Sequence, residues 1–220
     1  MPTVVITGAN RGIGLELARL CKQRGDQVIA ICRHGSPALK DLEIRVEEHI
    51  DVTEQPALDQ LRERLSGVSI DILINNAGIL TDESLTNFSA DRVRRQFEVN
   101  ALGPLSVTIA LLANLRPGSK VALITSRMGS IADNTSGGRY GYRMSKAALN
   151  AAGASLAYDL AEHKIAVAIL HPGFVRTEMT NGSGLIDADE AAANLLARID
   201  DLSIRSTGTF WHADGQVLPW

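Results

Sequence analysis

Short runs of valine and isoleucine recur along the chain, and the stretches between them return apolar residues every three or four positions. The runs are Val4–Ile6, Val28–Ile31, Ile70–Ile74, Val121–Ile124 and Ile165–Leu170, with a weaker one over Ile44–Ile50. Each is nearly continuous in apolar character instead of alternating with polar residues. Strands buried on both faces have this character, so the pattern predicts a parallel sheet covered by helices. Thr209–Trp211 adds a last apolar run suited to an edge strand.

The intervening stretches predict helices. Ile13, Leu17, Leu20 and Cys21 share one face of a first helix that stops near Arg24-Gly25. Leu58, Leu61 and Leu65 mark a second, with Thr53 as its N-cap and Gly67 at its end. One long helix is expected from about Asp91 to Leu115, another from about Tyr140 to His163, and a shorter one from about Asp187 to Arg198. Strand–helix–strand repetition from end to end predicts one doubly wound α/β domain over residues 1–220. Two segments lack a period, 131–141 and 174–187. Long aperiodic loops in compact domains often bind ligands, which makes 174–187 the expected substrate loop.

Composition excludes several function classes. Apolar residues make up 45%, charged residues 21%, and the net charge is −3. Such a chain folds as an ordinary globule without a broad field that attracts nucleic acid or anionic lipid. No apolar run nears the ~18 residues of a membrane helix. Met1-Pro2-Thr3 leads into the first apolar run without the basic region of a secretory signal. Two cysteines, Cys21 and Cys32, and five histidines make neither C-x-x-C nor H-x-x-x-H spacing, so no metal is expected. Free cysteines suit a reducing compartment, and a cytoplasmic location is expected.

Candidate chemistry gathers where strands end. Thr7-Gly8-Ala9-Asn10-Arg11-Gly12-Ile13-Gly14 joins the first strand to the first helix. Such a turn presents free backbone N–H groups and the positive end of the helix dipole, which suits a phosphate. Gly8 allows a tight turn, Gly12 a close approach of a pyrophosphate, and Gly14 close packing of helix on strand. Asn10, Arg11 and Ile13 complete the candidate cofactor turn. An acidic residue at the end of the second strand would bond a ribose 2′-hydroxyl. This chain has Cys32-Arg33-His34 there instead. A guanidinium fits a 2′-phosphate, so Arg33, helped by Arg11, points to NADP(H) over NAD(H).

Tyr142 and Lys146 are four apart in a helical stretch and share one face. An ammonium beside a phenol lowers its pKa, which lets the phenol exchange a proton with a carbonyl oxygen. Ser126, at the end of the fifth strand, can donate a hydrogen bond to the same oxygen.

These motifs, with Asp51-Val52, Asn75-Asn76-Ala77-Gly78, Asn100 and Pro172-Gly173-x-x-x-Thr177, stand in an order that resembles the short-chain dehydrogenase/reductase family over nearly the whole chain. Within it the chain is most similar to the C-factor/sniffer-like carbonyl reductase branch, through Ser126–Ser130, Asn134–Gly141 and the ending Asp214-Gly215 to Pro219-Trp220. The resemblance implies a single Rossmann-type domain with a mostly parallel sheet of about seven strands and helices on both faces. It implies Tyr142 as acid/base, Lys146 holding the nicotinamide ribose, Ser126 positioning the carbonyl, and Asn100 fixing a water in a proton relay. Asp51 would hold the adenine amino group beside Val52. Asn76, Ala77 and Gly78 would line the cofactor groove, and Pro172, Val175 and Thr177 would lie at the nicotinamide end.

Ser126 and Tyr142 are sixteen apart, a few residues more than in many members, and the part after Pro172-Gly173 is short. A reduced lid and an open pocket are therefore expected, lined by Arg127, Met128, Tyr140, Phe174 and parts of Thr180–Leu185. The expected activity is NADPH-dependent reduction of an aldehyde, ketone or quinone. The rival is a dinucleotide-binding regulatory or signalling protein with little turnover. A homodimer through the helices around 92–115 and 140–163 is expected from the resemblance. The alanines of the second helix suit close approach either of another helix or of the chain's own sheet.

Overall fold

The computed structural model describes residues 1–220. Seven strands form one sheet in the order β3-β2-β1-β4-β5-β6-β7, and every pair is parallel. In chain order the elements are β1 (Thr3–Thr7), α1 (Gly12–Gln23), β2 (Gln27–Ile31), α2 (Pro37–Lys40), β3 (Arg45–Glu47), α3 (Gln55–Arg64) and β4 (Ile70–Asn75). There follow α4 (Ala90–Phe97), α5 (Gly103–Ala110), β5 (Leu115–Ile124), α6 (Tyr140–Ala161), β6 (Ala166–His171), α7 (Ala188–Asp201) and β7 (Phe210–His212). No helix is long and apolar enough to cross a membrane.

Continuous apolar runs are explained by burial on both faces. Val4 and Ile6 of β1 point with Ala122 and Ile124 of β5 into a core shared with Leu17 of α1 and Leu195 and Ile199 of α7. Val5, Leu73, Val121 and Leu123 point the other way, against Leu61 of α3, Val107 of α5 and Leu149 of α6. On α6 the buried sheet-side positions include Leu149, Gly153 and Leu156, whereas Ala151 is exposed and Ala147, Ala148, Ala152 and Ala154 are half-buried.

Three expectations need correction. Thr53 does not cap α3, whose N-cap is Glu54 without a side-chain bond. Thr53 instead donates its N–H and hydroxyl to Asp51 Oδ1, at 3.0 and 2.7 Å. The single helix over 91–115 is divided into α4, a π-helical turn at Glu98–Leu102, and α5. Pro104 is the cause that the sequence contains: it has no N–H to offer the carbonyl of Asn100 four residues back, so the ladder must change register. The segment 174–187 is not irregular either. It holds a β-bridge between Val175 and Ile186 and a 3₁₀ turn at Glu178–Thr180.

Both outer strands are short, three residues each in β3 and β7. The C-terminal segment turns back over β7, with the His212 N–H donating to the Gln216 carbonyl and the Leu218 N–H to the Phe210 carbonyl, each at 2.8 Å. Trp220 stacks on Phe210, with ring centroids 5.6 Å apart.

Candidate active site

The strand order reverses direction between β1 and β4, and their C-terminal ends leave a crevice there, the usual place for a ligand in an open parallel sheet. Gly8 turns the chain out of β1 with φ +65°, and a Cβ there would stand 2.9 Å from the Ala77 Cα. Only glycine meets both demands. A side chain on Gly14 would strike the Gly8 carbonyl and come within 2.5 Å of Asn76 Nδ2, so Gly14 packs beneath the turn rather than lining the crevice. Asn76 fastens the two loops: its Nδ2 donates to the carbonyls of Thr7 and Gly8 at 3.1 and 3.2 Å. The Asn76 and Ala77 N–H groups both reach Thr7 Oγ1, at 3.0 and 3.1 Å.

The crevice is a cleft of about 560 Å³ walled by Gly8, Asn10, Arg11, Gly12, Ile13, Arg33, Asp51, Val52, Asn76, Ala77, Gly78 and Thr177 among the expected residues. The first turn of α1 has no side-chain cap and no acidic residue. Its free N–H groups therefore suit a diphosphate, and the residues present fit a dinucleotide. Pro172, Val175, Tyr142 and Lys146 are not part of the cleft wall. Val175 is buried and bridges to Ile186 within the 174–187 segment.

Sequence reasoning missed Ile31, Cys32, His34, Ile50, Ile79, Arg95, Val99, Glu178 and Met179, all of which line the cleft. Two of them bear on charge. Arg11 is not a free cation, because its Nη1 lies 2.5 Å from Glu178 Oε2 across the mouth of the cleft. Thr177 beside it closes over the glycine turn, with its Cγ2 3.5 Å from where a Gly12 Cβ would stand. The lid is thus folded onto the cofactor cleft and not simply reduced. Asp51 Oδ2 accepts from Arg95 Nη2 at 3.1 Å and has Arg33 Nη1 at 3.8 Å. Burial pushes the Asp51 carboxyl up, but the bonds from Thr53 and the charge and bond of Arg95 outweigh it and leave the pKa lowered.

Beyond Gly78 the cleft meets the second cluster. A Cβ on Gly78 would lie 3.2 Å from Asn100 Oδ1 and 3.7 Å from Lys146 Nζ, so both groups border the same space. Asn100 is fully buried in the π-helical turn. Its Oδ1 accepts from the Ile79 N–H at 2.8 Å, and its Nδ2 donates to the Ile79 carbonyl at 2.8 Å and to Ser145 Oγ at 3.0 Å. Both amide hydrogens are therefore used inside the protein. Pro104 denies the Asn100 main-chain carbonyl its usual α-helical donor.

Lys146 is buried, and its Nζ donates to the Ile124 carbonyl at 2.9 Å while lying 5.7 Å from the Tyr142 ring centroid. Burial alone brings its pKa down to about 8. Burial also raises the Tyr142 phenol above its ordinary value. The Ser126 hydroxyl, by a hydrogen bond, and then the charge of Arg139 oppose that rise. Lys146 is not among the groups that lower it, contrary to expectation. The ammonium lies over the ring and on the Ile124 carbonyl, and desolvation weakens its own charged form. Ser126 Oγ also accepts from the Met128 N–H at 3.2 Å, which holds the serine at the end of β5.

A family model described as short chain dehydrogenase matches residues 2–185. The chain is 40% identical over 226 residues, covering 100% of both chains, to a 1-hydroxy-2-glutathionyl-2-methyl-3-butene dehydrogenase of Rhodococcus sp. (strain AD45). Its fold is similar to that of the carbonyl reductase Sniffer of D. melanogaster, with a TM-score of 0.93 at 31% identity and 100% of each chain covered. It is also similar to an NADPH-bound carbonyl reductase from chicken fatty liver, with a TM-score of 0.89 at 28% identity over 100% of this chain and 99% of that one.

A buried lysine whose folded pKa lies below its unfolded value costs stability at neutral pH. Between its ordinary value of 10.5 and about 8 the unfolded chain holds a proton that the folded chain has lost, so stability rises with pH across that window. Lys146→Met is expected to be more stable than the parent at about pH 7 and to lose this rise toward about pH 10. Urea unfolding at the two pH values checks it.

Proposed function

This chain belongs to the short-chain dehydrogenase/reductase family and is an NAD(P)-dependent oxidoreductase, and we propose that it reduces an aldehyde, ketone or quinone carbonyl with NADPH. The observation that carries this reading is the buried Lys146 ammonium, 5.7 Å from the Tyr142 ring centroid, which with Asn100 borders the Gly78 end of a cleft suited to a dinucleotide. Gly8, Gly12, Ile13 and the start of α1 would cradle the diphosphate, Asp51 and Val52 the adenine, and Val175 and Thr177 the carboxamide. When bound, the reduced nicotinamide supplies the hydride.

Tyr142 is the proton donor. A phenol with a raised pKa keeps its proton at neutral pH, as an acid needs to before transfer, and Ser126 shares the developing charge on the carbonyl oxygen. Lys146, with a pKa near neutrality, can return a proton toward the phenol at little cost. The main-chain carbonyl of Asn100, which Pro104 cannot serve as an α-helical donor, is the group that would hold the water linking this relay to solvent. No metal is needed in this scheme, because the Tyr142 and Ser126 hydroxyls polarise the carbonyl oxygen together.

NADPH is favoured over NADH by Arg33. It is exposed, its contact with Asp51 is loose at 3.8 Å, and no acidic residue stands at Cys32 to receive a ribose hydroxyl. Arg11 joins it once the pair with Glu178 opens. A homodimer is part of the proposal, supported by apolar side chains left open on the helices named for it: Ile109 on α5 is 60% exposed and Tyr158 on α6 83%.

Tyr142→Phe should abolish NADPH oxidation with a carbonyl panel while leaving NADPH affinity within about twofold, since the cleft is untouched. The Rhodococcus relative is named for dehydrogenating a glutathionyl alcohol, so the panel is also run in reverse with such an alcohol. A parent protein that binds NADPH but turns over nothing in either direction would instead support the regulatory reading. Arg33→Ala should raise KM for NADPH by at least about tenfold and leave KM for NADH nearly unchanged. Equal effects refute the coenzyme assignment. Sedimentation should give twice the chain mass, and a species at single-chain mass removes the dimer.

A further inference from the structure

One carboxylate outside the cleft wall is wholly enclosed. The Glu83 side chain has no exposed surface. Its Oε1 accepts from Thr81 Oγ1 at 2.6 Å and from Arg92 Nε at 3.4 Å, and its Oε2 accepts from Gln96 Nε2 at 3.0 Å. The Gly141 backbone lies against the same carboxylate, since a Cβ there would stand 3.0 Å from Glu83 Oε2. Gln96 also accepts from the Thr81 N–H at 3.0 Å, so the loop after β4 and helix α4 close around the charge.

Gly141 is the residue before Tyr142, in the first turn of α6. That helix starts badly on its own. Its N-cap is Arg139, in the left-handed region with φ 49° and without a capping side chain. Gly137 and Gly138 before it are also left-handed, at φ +63° and +62°. Glu83 repairs this start twice. Its main-chain carbonyl accepts from the Arg139 N–H at 2.8 Å, and its carboxylate sets a negative charge against the Gly141 backbone. A helix N-terminus leaves N–H groups unpaired and favours a negative charge. Here both needs are met by a residue 58 positions away in sequence. The approach needs glycine: a Cβ on Gly141 would stand 3.0 Å from Glu83 Oε2 and 3.1 Å from the Val93 Cα.

We propose that Glu83 is a positioning residue for Tyr142, capping the catalytic helix from outside so that the phenol is held at one height and under one electrostatic field. The inference rests on the reading of Tyr142 as proton donor. The charged groups around this arrangement are Arg92 from α4, Arg139 ahead of α6 with its partner Asp82, and Lys146 from α6; the Ser126 hydroxyl faces the phenol from the end of β5. Glu83 is the enclosed anion of the set. Removing its charge leaves Arg92 and the bare helix N-terminus to favour phenolate, so the Tyr142 pKa should fall.

The test is a phenolate titration by ultraviolet difference absorbance, each protein read against its own Tyr142→Phe version. Glu83→Gln should move the midpoint down by about half a unit, and kcat should fall about tenfold while NADPH affinity by fluorescence stays within about twofold. Glu83→Asp keeps the charge but stops short of Gly141, and it should shift the midpoint in the same sense by less. It also serves if the glutamine variant does not fold. An unmoved midpoint in a folded variant overturns the proposal, as does a loss of kcat matched by an equal loss of NADPH affinity. The titration uses no substrate, so a parent protein without carbonyl reductase activity would refute the functional reading while the titration still decides the role of Glu83.

Discussion

Four hydrogen bonds tie the end of β1 to the end of β4, and the site is built outward from them. Thr7 Oγ1 receives the N–H groups of Asn76 and Ala77, and the Asn76 amide returns two bonds to the Thr7 and Gly8 carbonyls. Without them, backbone groups at the base of the cleft would be left without partners at a cost of about 1–3 kcal/mol each. The same fastening brings Ala77 so near Gly8 that no side chain fits between them. The opening of the cleft, its depth and the direction in which Gly78 leads toward Lys146 all follow from this one junction.

Charge in the cleft is arranged before any ligand arrives. Each arginine on its wall has an acidic neighbour, Arg11 with Glu178 and Arg33 and Arg95 with Asp51. Exposed pairs of this kind contribute little to stability, on the order of 0–1 kcal/mol, so exchanging a carboxylate for a phosphate costs little. The tight Arg11–Glu178 contact and the loose Arg33–Asp51 contact suggest a division of labour between the rim of the cleft and its adenine end.

Much of the fold was legible because burial on two faces leaves a strong mark: five of the strands read as nearly continuous apolar runs, and their alternation with helices marked a parallel sheet. The glycine turn, Ser126, Tyr142 and Lys146 were legible because each sits at a strand end or at helical spacing. What escaped depends mostly on contacts distant in sequence. Thr53 is the exception: it looked like a cap but serves Asp51 two residues before it. Glu83 and Glu178 carry no local pattern, since their main partners lie in α4, ahead of α6 and in the glycine turn. The division of the helix at Asn100 was within reach, because Pro104 sits at the offset where a donor is required. Periodicity carried across it, and the missing N–H went unread. The electrostatic effect assigned to Lys146 failed for a different reason: spacing places a side chain on a face but says nothing about where its charged end points.

The borders of the sheet carry a consequence for association. A row of unpaired backbone groups on an outer strand is a template for another chain, and long flat borders invite aggregation. Here β3 offers three residues flanked by the paired charges of Arg45 and Glu47, and β7 is closed by the chain's own tail through Gln216 and Leu218. Growth of the sheet by strand addition is thereby blocked at both ends. Any self-assembly is channelled to the helical flanks, and a truncation that removed the tail would uncover the one border that depends on it for concealment.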